Sequence, residues 1–253
     1  MALNLESIGT PIARIGKKKI YVTDKTDDVN HSMNELKLTK DMDVFQLIPS
    51  DRERDILYIT GQSGSGKSWF AKNYINEYKK LHPKNEVYLF SSIAEDESID
   101  SIKGLKRVDI NDPDFIEEDI ELDEFKNSLV IMDDTDCIRN KKIKLKIDGI
   151  LNMILETGRH ANISVIFTSH LACAGNDTKR ILNEAHSITI FPKSMGNKTL
   201  KYLLDSYLGL DQAQIKKVKK MKGGGRHVTL MKTFPMVVLN DKHAYTLNDS
   251  DDE

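Results

Sequence analysis

Gly61-Gln62-Ser63-Gly64-Ser65-Gly66-Lys67-Ser68 carries the strongest signal of fold class in the chain. It follows the phosphate-loop pattern G-x-x-x-x-G-K-[ST]. It stands between a short apolar run, Ile56–Thr60, and a stretch of helical spacing, Ser68–Leu81. That order, apolar strand, glycine turn, helix, is the one the chemistry needs. The glycines let successive backbone N–H groups wrap a phosphate, and the helix start adds partial positive charge. Lys67 is expected to reach the β- and γ-phosphates of a nucleotide, and the Ser68 hydroxyl to ligate Mg²⁺. The nucleotide site is assigned to Gly61, Gln62, Ser63, Gly64, Ser65, Gly66, Lys67, Ser68 and Trp69.

Downstream, Glu86–Ser91, Ser128–Met132, Ile163–Thr168 and Ser187–Phe191 read as short buried strands. An amphipathic helix is predicted over Lys146–Thr157, with Ile147, Ile150, Leu151, Ile154 and Leu155 on one face. Two more helices are predicted at about Asn197–Leu208 and Asp211–Met221, then a hairpin from Val228–Lys232 and Met236–Asn240. Strands alternating with helices argue for a P-loop α/β fold, a mainly parallel central sheet covered by helices. Residues 1–50 read as a small extension whose stretches Ile12–Ile15 and Lys19–Val22 form a hairpin around Gly16. The nucleotide-binding domain is placed at 51–247, and 248–253 as an acidic tail. Glu95–Glu124 carries thirteen acidic residues against three basic ones and reads as a solvated surface insertion.

Asp133 and Asp134 close the strand Ser128–Met132. An acid at the tip of a strand beside the phosphate-loop strand holds Mg²⁺ through water, a role assigned to Asp133. Asp134 then polarises the attacking water. A helix cap or surface turn is the alternative, and Asp136 complicates the register. The extra strand Glu86–Ser91 between the two motifs fits the P-loop branch that has an inserted strand and a catalytic acid. Past the fourth strand, His170 is a candidate sensor of the γ-phosphate, with a helix-capping or core histidine as the competing reading. Arg159 and Arg180, and more weakly Arg139, are candidates to serve a neighbouring subunit's γ-phosphate; the alternative for each is a surface salt bridge.

Composition bounds the rest. The 253 residues hold 37 basic and 39 acidic side chains for a net charge of -2, so any basic surface must be local. Two cysteines, Cys137 and Cys173, make neither a disulfide framework nor a four-ligand zinc site. No run approaches the roughly 20 apolar residues of a membrane helix, and the first residues lack a signal peptide's apolar block. A soluble intracellular protein is expected. Lys216, Lys217, Lys219, Lys220, Lys222 and Arg226 put six basic residues in eleven, followed or joined by Gly223–Gly225. A basic loop there would grip DNA phosphates without reading bases. Lysines closing a helix are the plainer account.

GQSGSGKS, LVIMDD, ETGRHANISVIFTSH, and then a short helix with Arg180 and Asn183 resemble the genome-packaging ATPases of nucleocytoplasmic large DNA viruses, in the FtsK/HerA group of DNA pumps. The resemblance covers roughly Asp55–Pro192, and Gly158-Arg159-His160 followed by Asn162 and Ser164 is its most specific part. It implies an ATP- and Mg²⁺-dependent motor, a homo-oligomeric ring threading double-stranded DNA into a preformed capsid and docking on capsid or portal-vertex proteins. It implies residence in the host cytoplasm, at the viral factory, or in the virion. Arg159 matches the family's arginine; His170 departs from its usual glutamine. Two rivals remain: another DNA-handling ATPase such as a helicase or conjugation pump, and an ATP-dependent switch that does not act on DNA.

Overall fold

The computed structural model describes residues 2–41, 43–50, 54–221 and 225–247. They belong to two compact units, Arg52–Ala185 and a second assembled from Met1–Asp51 with His186–Glu253.

The unit Arg52–Ala185 is built on β6 (Ile56–Thr60), β7 (Glu86–Ser91), β8 (Leu105–Arg107), β9 (Ser128–Asp133) and β10 (Ser164–Ser169), numbered in chain order. All neighbours are parallel, in the order β6-β10-β9-β7-β8. Every residue of β6, β9 and β10 is buried, as strands covered on both faces require. The strand carrying Asp133 is therefore not beside the phosphate-loop strand, as the sequence suggested. β10 lies between them and pairs with both. Sequence order does not reveal this, because parallel neighbours are joined by crossovers of arbitrary order.

α1 (Lys67–Leu81) leaves β6 and buries Phe70, Tyr74 and Tyr78 at four-residue spacing, with Ala71 and Ile75 beside them. The Tyr74 hydroxyl donates to Asp55 Oδ2 at 2.7 Å, tying the helix to the entry of β6. α4 (Lys141–Thr157) joins β9 to β10 and starts five residues before the predicted boundary. The Asn140 side chain caps it by accepting from the N–H groups of Lys142 and Ile143, so the basic stretch is its first turn. α5 (Asn176–Glu184) follows β10.

The acidic stretch Glu95–Glu124 is more than a solvated insertion. It supplies the edge strand β8, and α2 (Glu97–Asp100) and α3 (Pro113–Glu117), each capped by an aspartate side chain. Ile99, Ile102, Ile110 and Phe115 from it, and the adjoining Phe125, are buried. These apolar residues are spaced too irregularly among the acids for a periodicity test to register.

In the second unit β1 (Ala2–Asn4), β2 (Thr10–Ile15), β3 (Lys18–Thr23) and β5 (Gln46–Leu47) form an antiparallel sheet in the order β1-β3-β2-β5. A second antiparallel run of strands goes β4 (Glu35–Lys37), β14 (His243–Leu247), β13 (Met236–Leu239), β12 (Val228–Met231), β11 (Ser187–Ile190). Leu3, Ile12, Ile20 and Val22 share a core with Val237, Leu239 and Ala244. The two ends of the chain thus bury one another's apolar faces. α6 (Asn197–Tyr202) runs into a wider turn of helix, Leu203–Tyr207, and α7 (Gln212–Lys220) follows.

Candidate functional site

The glycines of the phosphate loop have backbone reasons to be glycine. Gly64 has φ 73° and Gly66 φ 112°, the left-handed region that side chains disfavour. Gly66 also stands immediately before α1, so the loop delivers the chain directly to a helix start of fifteen residues. Within it the Ser65 Oγ is buried with no hydrogen-bond partner among the described residues. A buried hydroxyl left unpaired is costly, and a phosphate oxygen would satisfy it.

Three sequence-predicted residues meet at this loop. Lys67 is buried; its Nζ donates to the Gly61 carbonyl at 3.1 Å and lies 3.2 Å from His170 Nδ1 and 3.5 Å from Asp134 Oδ1. His170 Nε2 lies 3.0 Å from Asp134 Oδ2. Asp134 holds a left-handed backbone, φ 48°, uncommon for a residue with a side chain and tolerated best by Asp and Asn. That conformation turns the chain sharply at the end of β9, and strain of this sort gathers where a side chain must be aimed.

Asp133 is held differently. Its carboxylate accepts from Ser91 Oγ at 3.2 Å and lies 2.9 Å from Thr168 Oγ1. The Thr168 hydroxyl is shared with Asp134, whose Oδ1 lies at 3.1 Å and whose N–H donates to it at 2.9 Å. Burial, and then the neighbouring Asp134 charge, push the Asp133 carboxyl above the usual carboxylate range. A cation at this position would relieve both causes. The donor set, a carboxylate and the half-buried Ser68 hydroxyl, is hard oxygen of the kind Mg²⁺ takes alongside phosphates. Asp136, which blurred the register in the sequence, accepts from Ser169 Oγ at 2.7 Å instead of joining Lys67.

Ser91 and Thr168, the hydroxyls that bond to the acidic pair, are the members of this cluster that the sequence reading missed. Their signal was a polar residue at the carboxyl end of an otherwise apolar strand, where parallel sheets place their ligands.

The arginines sit elsewhere. Arg159 is exposed just after α4, at the amino end of β10, whereas His170 follows its carboxyl end. Six strand residues span about 17 Å, so Arg159 and the phosphate loop of one chain lie at opposite ends of the sheet. Its turn is rigidly made. Arg54 donates to the carbonyls of Ile154 (2.6 Å) and Leu155 (2.8 Å), capping α4. A Cβ on Gly158 would overlap the Ile154 carbonyl and come within 2.8 Å of Arg54 Nη1. Asn162, φ 53°, donates to Asn127 Oδ1 at 3.1 Å. Gly158 and Asn162, on either side of the stretch Arg159–Ala161, therefore have structural duties of their own. Arg180 pairs with Glu156, the surface ion pair that was its competing reading.

Lys216, Lys217 and Lys220 are exposed on α7 and Lys219 is half-buried, so these four stand on a helix rather than in a loop. Ile215 and Val218 anchor the opposite face. Arg226 lies beyond, next to the positive-φ Gly225, and Lys222 and the tail 248–253 lie outside the described residues. Trp69 is 62% exposed directly after Ser68. No helix among the described residues is long and apolar enough to cross a membrane.

Comparison with known proteins gives three findings. No family profile matches the sequence. The uncharacterized protein V3 of the Sputnik virophage is 40% identical over 253 residues, 97% of this chain and 98% of that protein. Among solved structures, B204, the DNA-packaging ATPase of Sulfolobus turreted icosahedral virus, superposes with a TM-score of 0.50 at 19% identity, over 74% of this chain and 97% of that one. The second of these likenesses is one of fold: a P-loop α/β architecture with a mainly parallel sheet.

Proposed function

The chain belongs to the same family as protein V3 of the Sputnik virophage, and from that premise and its site we propose that it is an ATP-hydrolysing motor that translocates double-stranded viral DNA into a preformed capsid. The observation that carries the reading is the convergence of Lys67, Asp134 and His170 on a glycine loop that ends in a helix start. The packaging assignment is supported by the fold likeness to B204, described as a DNA-packaging ATPase, and by the Gly158-Arg159-His160 succession.

In this reading the loop amides, Ser65 and Lys67 hold the triphosphate. Ser68 and Asp133 would hold Mg²⁺, which when bound offsets the phosphate charge. Asp134 orients the attacking water, and His170, beside it, senses the γ-phosphate. Arg159 cannot reach the phosphate loop of its own chain, so a catalytic role for it requires a second copy. That supports a homo-oligomeric ring. An arginine supplied in this way adds roughly three to five orders of magnitude in rate. The basic face of α7, with Arg226 and Lys222, engages DNA phosphates without reading sequence. Capsid or portal-vertex proteins are the docking partners, at the viral factory or in the virion.

The test is ATP turnover of the purified chain with and without double-stranded DNA across a salt series. Stimulation by DNA that fades as salt rises is expected. Turnover indifferent to DNA at low salt refutes the motor and leaves an ATP-dependent switch.

A further inference from the structure

We infer that β7 and the acidic stretch after it build a docking cavity for a basic segment of a partner protein, which lays arginine or lysine stems on an aromatic floor and their charges against a wall of carboxylates. The inference stands apart from the reading of the phosphate loop.

The cavity measures about 320 Å³ and lies within the unit Arg52–Ala185. Its floor is apolar. Tyr88 and Phe90 stand two apart on β7 and so share a face of the sheet, where Phe115 of α3 and Phe125 pack on them. Ring centroids lie 5.2 Å apart for Tyr88 and Phe125, 5.9 Å for Phe90 and Phe125, and 6.2 Å for Phe90 and Phe115. Phe90, Phe115 and Phe125 are buried and fix the floor, while Tyr88 is half-buried.

The wall is anionic. Asp109 and Asp112 from the loop after β8, Asp114 and Glu118 from α3 and its end, and Glu124 from the turn Leu122–Phe125 all line the cavity. No lysine or arginine lines it, and among the described residues none of these five carboxylates forms an ion pair. Asp109, Asp112 and Glu124 accept backbone N–H groups of Asn111, Asp114 and Glu121 at 3.0, 3.0 and 2.8 Å, which shapes the wall and leaves its charge unmatched. Asp100, in the same acidic stretch, does have its cation, Arg107 at 2.8 Å. The floor rings meet cations already. Lys146 Nζ stands 5.2 Å over the Phe115 ring and donates to the carbonyls of Ile116 and Glu118. Lys106 Nζ stands 5.6 Å over the Tyr88 ring and is paired with Glu86 at 3.2 Å.

The occupant follows from this chemistry. Arginine and lysine join an apolar stem to a charged head, and here a floor that takes stems lies under a wall that takes heads. Five carboxylates around one cavity are more than a single cation compensates, so the segment carries several basic residues. The sign of the charge turns nucleic acid away.

The test titrates the full chain into the fluorescein-labelled peptide Gly-Arg-Gly-Arg-Gly-Arg-Gly and follows anisotropy, at about 0.1 M salt, where exposed charges beyond roughly 10 Å are screened. Three variants accompany wild type. Asp114→Asn/Glu118→Gln removes two wall charges with little change of shape and spares the capping residues Asp112 and Glu124. Glu95→Gln/Glu97→Gln removes two charges from the same stretch but outside the cavity. Tyr88→Leu removes the half-buried ring. The wall variant is expected to bind about tenfold more weakly than wild type. Tyr88→Leu should lose about two- to fivefold, and the Glu95/Glu97 variant less than about twofold. Affinity equal to wild type in the wall variant or in Tyr88→Leu overturns the proposal, as does absence of binding by folded wild type. Equal weakening by the Glu95/Glu97 variant overturns it in favour of diffuse acidity. Spermine that displaces the labelled peptide at lower concentration than unlabelled peptide does would assign the cavity to a small polycation. Self-association that is lost in the wall variant, read by sedimentation velocity, would assign it to a second copy of this chain. Either result overturns the partner segment.

Discussion

Gly158→Ala should loosen the turn that carries Arg159. The backbone there has φ -59°, which any residue adopts, so the requirement for glycine is steric. The new Cβ would overlap the Ile154 carbonyl, lie 2.8 Å from Arg54 Nη1 and 3.1 Å from Ile154 Cγ2. Forcing a methyl into a filled site costs about 1–3 kcal/mol. Pushing Arg54 aside weakens one or both of its hydrogen bonds to Ile154 and Leu155. A charge-assisted bond contributes about 1.5–3 kcal/mol when buried, and less here because Arg54 is half exposed. The sum is about 2–4 kcal/mol, concentrated at the carboxyl end of α4. Amide hydrogen exchange resolves such a local cost without assuming that two units unfold together. Amides of the last turn of α4 should exchange some 30- to 1000-fold faster in the variant. Arg54→Ala should show part of the same effect. The double variant should cost at least 1 kcal/mol less than the sum, because the methyl then has no guanidinium to displace. Unchanged protection in Gly158→Ala, or strict additivity with Arg54→Ala, would refute the packing argument. A mixed-subunit assay extends the test to function: Arg159→Ala subunits mixed with Lys67→Ala subunits should recover activity that neither has alone.

Other expectations concern the acids, their shared donor and the basic helix. Burial and Asp134 raise the Asp133 carboxyl in the folded chain, so the fold is penalised as pH rises through that raised value and above it. Asp133→Asn should therefore melt higher than wild type at pH 7 without Mg²⁺, lose that advantage at low pH where both are neutral, and abolish turnover; a lower melting temperature at pH 7 contradicts the electrostatics. Thr168→Val removes the hydroxyl between the two acids, and kcat should fall about 10- to 100-fold with the phosphate loop intact; unchanged kcat would relieve Thr168 of its role. Replacing Lys216, Lys217 and Lys220 with alanine should flatten the salt dependence of DNA binding by up to about three in slope, read by fluorescence titration, and an unchanged slope places the DNA elsewhere.

Ile56 through Ser68 was legible at once because every requirement of a phosphate loop is local. An apolar run, glycines at left-handed positions, a lysine and a hydroxyl at the helix start lie within thirteen residues. The strands β7, β9 and β10 were legible because burial on both faces leaves unbroken apolar runs. β8 and β14 were not, being short and interrupted by charged and polar residues whose partners lie far along the chain. The pairing of the first fifty residues with the last strands was equally hidden, since neither segment buries its apolar face alone.

Residue order alone therefore specifies a phosphate loop on a parallel sheet and nominates Lys67, Asp133, Asp134 and His170. Their arrangement in space comes from the strand order. β10 passes between the two motif strands, sets Thr168 between the acids and brings His170 against Lys67 and Asp134, while Arg159 stands toward its opposite, amino end. Local order specifies a loop because its hydrogen bonds close within a few residues. Strand order is set by burial and crossover packing across a hundred residues, and no spacing in the sequence records it.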